Sequence, residues 1–535
     1  MTATVRDAVL DVLRHTGMTR IFANPGSTEV AFLTDLPEDL DFILALHEGS
    51  VVGMASGHAL ASGGPSVVLL HTTAGLGNAV GALATARTNR APLVVLVGQQ
   101  DRRHLAFEPF LAGHLSGLAG EYPVACHEPA RPADVPGAVM RAWHEARLHR
   151  GPAIVTIPMS DWDEPAETGL PPATPGSLHT ASGPSPEAAG ELTELLAAAE
   201  NPVLVVGPGA DDPRSRDLVA RIAGRLDCEV WQAAYASQAG FDHSDPRFAG
   251  HLPPGRGALR EALKDHDTVL IVGAPAFRSG AWEPGGFVTP GTRVAVVTPF
   301  LDEALHSAAD LAVVGDPAEI IEAILPAIGT APSARADSGG TVRTTEVHAA
   351  RAGQALTARD VFEAVAERLP AESTFIEETP SSRRALLDTV PARECFGFLT
   401  IAQGGLGFAL PAATGIKLAR PDRPVVAFVG DGASLYSIQS LWSAQRYGAG
   451  ALYVVLSNGG YAVMNMLAAS HGGKPPWPGF EEISVSAIAR GFGCPARRIE
   501  NRDELLAALD DIVPGLANRT GPLVLDVAVQ AQPSK

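Results

Sequence analysis

The chain has 535 residues, 46% of them apolar and 19% charged, and a net charge of −19 at pH 7. So acidic a chain has no general attraction for nucleic acid or an anionic membrane, so an anionic ligand must be held locally, by amides, helix dipoles or a cation. The length exceeds the ~100–200 residues of one domain and predicts about three. Short apolar runs recur in chain order. They are Arg20–Ala23, Phe42–Leu46, Ser66–Leu70, Leu93–Val97 and Ala153–Ile157, then Val203–Val206, Glu229–Gln232, Thr268–Val272 and Val294–Val297, then Thr374–Ile376, Val425–Val429, Leu452–Leu456 and Leu523–Val527. Continuous Val/Ile/Leu runs suit strands buried on both faces, as in parallel sheets. Ala-rich stretches lie between them, such as Val51–Ala61 and the amphipathic Leu435–Tyr447, so the rhythm is β-α, repeated three times. Two segments rich in Pro, Thr, Ser and Gly, 166–190 and 329–354, predict linkers between domains at 1–165, 191–328 and 355–535.

Cys126, Cys228, Cys395 and Cys494 are scattered without a Cys-x-x-Cys pair, which predicts free thiols in a reducing compartment and no structural zinc. Residues 1–17 carry Arg6, Asp7, Asp11 and Arg14, which does not fit a secretory signal. No stretch reaches the roughly 18 apolar residues of a membrane span. The expected location is the cytoplasm.

The strongest local signal is Val425-Val-Ala-Phe-Val-Gly-Asp-Gly432, then a helix, then Leu452-Tyr-Val-Val-Leu-Ser-Asn-Gly-Gly-Tyr461. Two strands flanking one helix deliver Asp431 and Asn458 to carboxyl ends of one sheet, where open α/β sheets bind ligands. A carboxylate, an amide oxygen and a free carbonyl are hard ligands that suit magnesium shared with phosphate. Gly430 and Gly432 let the backbone approach a diphosphate, and the helix start at Ala433 and Ser434 adds a favourable dipole. Taken alone, Asp431 reads more readily as a helix cap, and Asn458 with Gly459-Gly460 at the adjacent strand end brings the two readings level.

Gly-Asp-Gly, a spacer of about 26 residues and Asn resembles the diphosphate- and magnesium-binding motif of thiamine-diphosphate enzymes. Further segments extend the likeness over nearly the whole chain: Asn24-Pro-Gly-Ser-Thr-Glu29, Leu44-Ala-Leu-His-Glu48, Leu70-His-Thr-Thr-Ala-Gly-Leu-Gly-Asn78, Gly98-Gln-Gln100, Gly273-Ala-Pro-Ala-Phe-Arg278 and Gly404-Gly-Leu-Gly-Phe-Ala-Leu-Pro411. In this order and spacing they resemble the thiamine-diphosphate-dependent 2-oxo acid decarboxylases of the benzoylformate decarboxylase family. The resemblance implies an α/β fold of three doubly wound parallel-sheet domains, pyrimidine-binding, central and diphosphate-binding. It also implies an active site between two subunits of a homotetramer, with thiamine diphosphate and Mg²⁺ as cofactors and a small 2-oxo acid as substrate.

Carried over residue by residue, Asp431, Asn458 and the Gly460 carbonyl would bind the metal, and Ser381, Tyr461 and Ala462 would line the cofactor site. Glu48, after a strand and at a helix start, would hydrogen-bond the aminopyrimidine ring and start activation of the cofactor. Pro25 and Gly26 would face that ring, and Leu406, beside Gly404, would wedge the cofactor into its bent shape. Ser27 would contact the substrate carboxylate, helped by amides of its own helix start. His71 would handle protons near the reacting carbon.

The likeness breaks at several places. Ser457 stands where the family has the first Asn of a pair, and Gly280 stands where it has a second active-site histidine. His243, His251 and His266 lie upstream and are expected at the surface. Glu377 and Glu378 are candidates for an acid from the last domain, although acidic residues at a strand end are usually solvated. Phe110 and Leu111 occupy the family's substrate-pocket leucine positions. These departures leave open a carboligase or lyase on the same cofactor, and a non-catalytic protein that keeps the fold; retention of Glu48, Asp431 and Asn458 disfavours the latter.

Overall fold

The computed structural model describes residues 3–167, 174–175, 178–329 and 355–530. Three six-stranded sheets follow one another along the chain, and every strand pairing within them is parallel. The first sets Asp41–Leu44, Arg20–Asn24, Ser66–His71, Leu93–Gln99, Pro152–Pro158 and Ala125–His127 side by side. The second sets Leu311–Val314, Arg293–Thr298, Thr268–Val272, Pro202–Val206, Val230–Gln232 and Phe248–His251. The third sets Phe398–Thr400, Thr374–Glu378, Val425–Gly430, Leu452–Ser457, Leu523–Ala528 and Ala496–Ile499. Helices cover both faces, so central strands such as Leu93–Gln99 are buried at every residue.

Each of the thirteen apolar runs forms a strand. Five further strands carry no such run: Ala125–His127, Phe248–His251, Leu311–Val314, Phe398–Thr400 and Ala496–Ile499. All five lie at sheet edges. The stretch Leu435–Tyr447 is less helical than its periodicity predicts, with a helix only over Ser440–Arg446. Helix Pro186–Ala197 starts inside the first Pro/Ser-rich stretch, its Ser185 capping the Ala188 amide, and the second stretch lies outside the described residues beyond Gly329.

The first and third domains are bound by a close helix crossing. Helix Glu48–Ser62 is buried almost all round and packs on helix Ala409–Ala419. A Cβ at Gly57 would stand 2.2 Å from the Ala412 carbonyl oxygen, and one at Gly415 would stand 1.9 Å from that of Met54. Only glycine allows backbones this near. The crossing fixes Glu48, the first residue of its helix, relative to the third domain.

Candidate active site

Two clusters of polar residues sit at the carboxyl ends of the first and third sheets, and a third group lies between the second and third domains. In the first, Glu48 is buried, and its two oxygens accept from Asn24 Nδ2 at 3.0 Å and Asn78 Nδ2 at 3.1 Å. Asn24 ends one strand and Asn78 rides helix Thr72–Thr88 after the neighbouring strand, so the carboxylate is oriented from both sides. His71 caps that same helix. Its Nδ1 lies 2.9 Å from Thr28 Oγ1 and 3.1 Å from Glu29 Oε2, and Thr28 also donates to the fully buried Glu29 carboxylate. Holding Nδ1–H this way leaves Nε2 as the working nitrogen. Gly98 makes room for the relay, because a Cβ there would fall 1.8 Å from Glu29 Oε1.

Glu29 was not among the residues singled out for chemistry, though it closes the Asn24–Glu29 motif. Ser27 is exposed and begins a three-residue 3-10 turn, not a full helix. The Gly26 amide in that turn donates to Glu29 at 2.7 Å, so it is not free for a substrate anion. Pro25 is exposed beside it. Phe110 and Leu111 lie on an outer segment of this domain, Phe110 88% exposed.

In the second cluster, Asp431 and Asn458 follow adjacent parallel strands. Asp431 is buried; its Oδ1 accepts from Gly432 N at 2.8 Å, and its Oδ2 from Asn458 N at 2.9 Å and Gly459 N at 2.7 Å. Burial pushes its pKa up, and the three amides pull it back. Asn458 Oδ1 accepts from the Gly460 amide at 3.0 Å, and Ser434 Oγ donates to the Asp431 carbonyl at 2.6 Å. Ser381 Oγ accepts from Val463 N at 3.0 Å, which brings it to the start of helix Ala462–Ser470. Gly432 sits under aromatic rings, since a Cβ would lie 2.9 Å from Tyr461 and 3.1 Å from Phe480. Ser457 donates to the buried Asp526, which also binds Arg498, so this position is committed to the sheet. Among the described residues no three His, Cys, Asp or Glu side chains gather as metal ligands. A hard cation here would therefore use the Asp431 carboxylate, the Asn458 amide, a backbone carbonyl and oxygens from outside the chain, which fits magnesium shared with a diphosphate.

The third group borders the second cluster. A cavity of about 390 Å³ is lined by Gly404 and Leu406, by Glu377–Pro380 and Arg383, and by Tyr235 and His251 of the central domain. Glu377 and Glu378 are buried, not solvated. Glu377 accepts from Thr379 N at 2.7 Å and Thr400 Oγ1 at 2.6 Å. Glu378 accepts from the amides of Gly407, Phe408 and Ala409 at 2.6, 2.9 and 2.6 Å. The upstream histidines are not on the surface either. His251 and His266 are buried, and His243 stacks on Phe248 and packs edge-on against His251. Gly280 is exposed at the rim.

Three sequence families match, described as the N-terminal TPP binding domain, the central domain and the C-terminal TPP binding domain of thiamine pyrophosphate enzymes, over residues 3–117, 189–324 and 384–527. The chain is 38% identical over 531 residues to benzoylformate decarboxylase of Pseudomonas aeruginosa, covering 98% of this chain and 99% of the relative. It is 27% identical over 555 residues to an acetolactate synthase large subunit of Parasynechococcus marenigrum, covering 98% and 87%. The solved benzoylformate decarboxylase of Polynucleobacter necessarius superposes with a TM-score of 0.92 at 31% identity, over 99% of each chain.

Proposed function

This chain belongs to the thiamine pyrophosphate enzymes, and from that premise we propose that it decarboxylates a 2-oxo acid of the benzoylformate type to an aldehyde and carbon dioxide. The observation that carries the reading is the pair of prepared carboxylates: Glu48, held by Asn24 and Asn78, and Asp431, held by three amides at a neighbouring-strand junction. Asp431, Asn458 and the Gly460 carbonyl would hold Mg²⁺, and Ser381 with the Gly430–Ser434 turn would hold the diphosphate. Thiamine diphosphate, when bound, supplies a nucleophilic carbon and an electron sink.

The chain's own residues do the rest. Glu48, screened from water, keeps a fixed carboxylate for proton exchange with the pyrimidine ring. Ser27 orients the substrate carboxylate so that its carbon–carbon bond can break and release carbon dioxide. His71, fixed through Nδ1 by Thr28 and Glu29, takes up a proton from water at Nε2 and passes it on to complete the aldehyde. Phe107 and Phe110, two large rings exposed close together in one segment at 82% and 88%, support a site shared between protomers. We extend this to a homotetramer. That Cys126, Cys228, Cys395 and Cys494 form no disulfide favours the cytoplasm, and no described helix is long and apolar enough to cross a membrane.

The test is a panel of aromatic and aliphatic 2-oxo acids with thiamine diphosphate and Mg²⁺, read by carbon dioxide release. Glu48→Gln is expected to lower kcat by ~10²-fold or more. Equal rates in variant and wild type defeat the mechanism. A carboligase is the second reading, favoured by Gly280, which offers no proton donor of its own, and by the acetolactate synthase relative. An acceptor aldehyde supplied with the 2-oxo acid would then give a chiral hydroxyketone; aldehyde as the sole product counts against it.

A further inference from the structure

The 390 Å³ cavity holds several polar groups, and most are already engaged. Glu377 and Glu378 are taken by amides and hydroxyls. The Arg383 guanidinium lies 3.6 Å from Glu377 and 5.5 Å from the centre of the Tyr235 ring, while Arg384 pairs with Asp388 at 3.0 Å. The His251 Nε2 is sealed from solvent, and burial, aided by Arg383 and Arg384, pushes the ring's pKa down to about 3, so it stays neutral. His251 Nε2 has no hydrogen-bond partner either but is closed off, whereas the Tyr235 hydroxyl makes no hydrogen bond to the described residues and is not sealed from solvent.

Two further observations single out this tyrosine. Its φ is +56°, a left-handed conformation that is strained for an aromatic residue and is typically retained where the position of the side chain matters. Its hydroxyl also stands over Gly280. A Cβ at Gly280 would come within 3.0 Å of the Tyr235 oxygen, while the Gly280 amide is tied to the Pro254 carbonyl at 3.0 Å. A side chain at residue 280 would thus crowd the Tyr235 hydroxyl, which would have to give by a few tenths of an ångström.

We propose that Tyr235 gives the substrate a hydrogen bond from the central domain, its hydroxyl occupying the space that glycine leaves open at residue 280, opposite Gly404 and Leu406. The donor is a phenolic hydroxyl, suited to a substrate oxygen and held in place by Arg383 packed on its ring. The assignment deepens the decarboxylase reading and rests on it. It makes Tyr235 a substrate-binding residue and explains why a site with no side chain at 280 still presents a donor on that wall.

The test uses holoenzyme with thiamine diphosphate and Mg²⁺. It compares wild type, Tyr235→Phe, Gly280→Ala and the double variant. The readouts are kcat and KM on benzoylformate, calorimetric binding of mandelate (a 2-hydroxy acid of the same shape that cannot react), and thiamine diphosphate affinity. Tyr235→Phe is expected to lower kcat/KM and weaken mandelate at least tenfold, with cofactor affinity within twofold. Gly280→Ala shifts the hydroxyl by a few tenths of an ångström and moves both in the same direction, by less. In the double variant the alanine adds less than twofold, because both changes act through one group. Mandelate affinity and kcat/KM both within twofold of wild type in Tyr235→Phe overturn the proposal, as does full additivity in the double variant. A wild type that binds mandelate but turns over no 2-oxo acid refutes the decarboxylase reading alone, and the binding arm still decides Tyr235. A wild type that does not bind mandelate refutes the Tyr235 assignment.

Discussion

Glu378 is where burial and hydrogen bonding oppose each other most directly. Three amides at the start of helix Ala409–Ala419 donate to its carboxylate, and these are the donors a helix end leaves unpaired. Hydrogen bonds to the charged form lower a carboxylate pKa. Burial raises it, the neighbouring Glu377 adds in the same direction, and burial wins: the pKa rises from 4.5 to about 7. The folded protein therefore holds a proton that the unfolded chain has released between pH 4.5 and 7. Stability from this group is full below 4.5 and is lost as pH rises to 7, by about 3 kcal/mol. That corresponds to roughly a 10²-fold change in the local opening equilibrium. Hydrogen exchange of peptides covering 404–410, in wild type and Glu378→Gln, isolates the effect because the intrinsic pH dependence of exchange cancels in the ratio. Wild-type protection relative to the variant is expected to fall as pH is raised from 4.5 to 8. A flat ratio would mean that the three amides outweigh burial and that the reasoning is wrong.

Asp431→Asn removes the one carboxylate of the proposed cation site, so thiamine diphosphate binding followed by intrinsic fluorescence should weaken by roughly 10²-fold and lose its sensitivity to EDTA; unchanged affinity would move the cation elsewhere. His58 is held neutral by burial, with a pKa near 4 and Ser66 Oγ 2.8 Å from its Nδ1. Its folded pKa lies below the ordinary 6.5, so its stabilisation is present above 6.5 and is lost as pH falls towards 4. The thermal midpoint of His58→Gln should fall less than that of wild type across this window, and parallel curves would argue against the assignment.

The strands legible in the sequence are, with one exception, those with a neighbour on each side. A strand such as Thr268–Val272 is covered by helices on both faces and paired along both edges, so water reaches none of it and every residue is apolar or small. An edge strand has one open side. In Ala496–Ile499 the two arginines face solvent, Ala125–His127 has no fully buried residue, and Leu311–Val314 has one. Such segments form strands because the sheet already present offers hydrogen-bonding partners, not because their composition demands it. The exception, Asp41–Leu44, lies at an edge yet continues into Leu44–Leu46, whose backbone the third domain engages through Tyr447 and Ser443.

The site divides along the same physical line. The placement of Asp431 and Asn458 at adjacent strand ends was legible because each follows a continuous apolar run and adjoins glycine. Glu29 was not, because its role is set by His71, 42 residues on, and only pairing of Arg20–Asn24 with Ser66–His71 brings the two motif ends together. His251 was misplaced for a related reason: a histidine's polarity predicts exposure, but His243, Phe248 and Phe398 enclose this one with aromatic rings. Tyr235 and Gly280 carry the point furthest. Tyr235 signals nothing in its own segment, a run of alanines, while Gly280 is marked only by the histidine it stands in for, and 45 residues separate them. Their relation exists only as a close approach in space. A site whose polar groups are allocated by shared volume can exchange a donor from one loop to another without leaving a motif, so the wall opposite the cofactor loop is where sequence likeness is least able to predict substrate preference.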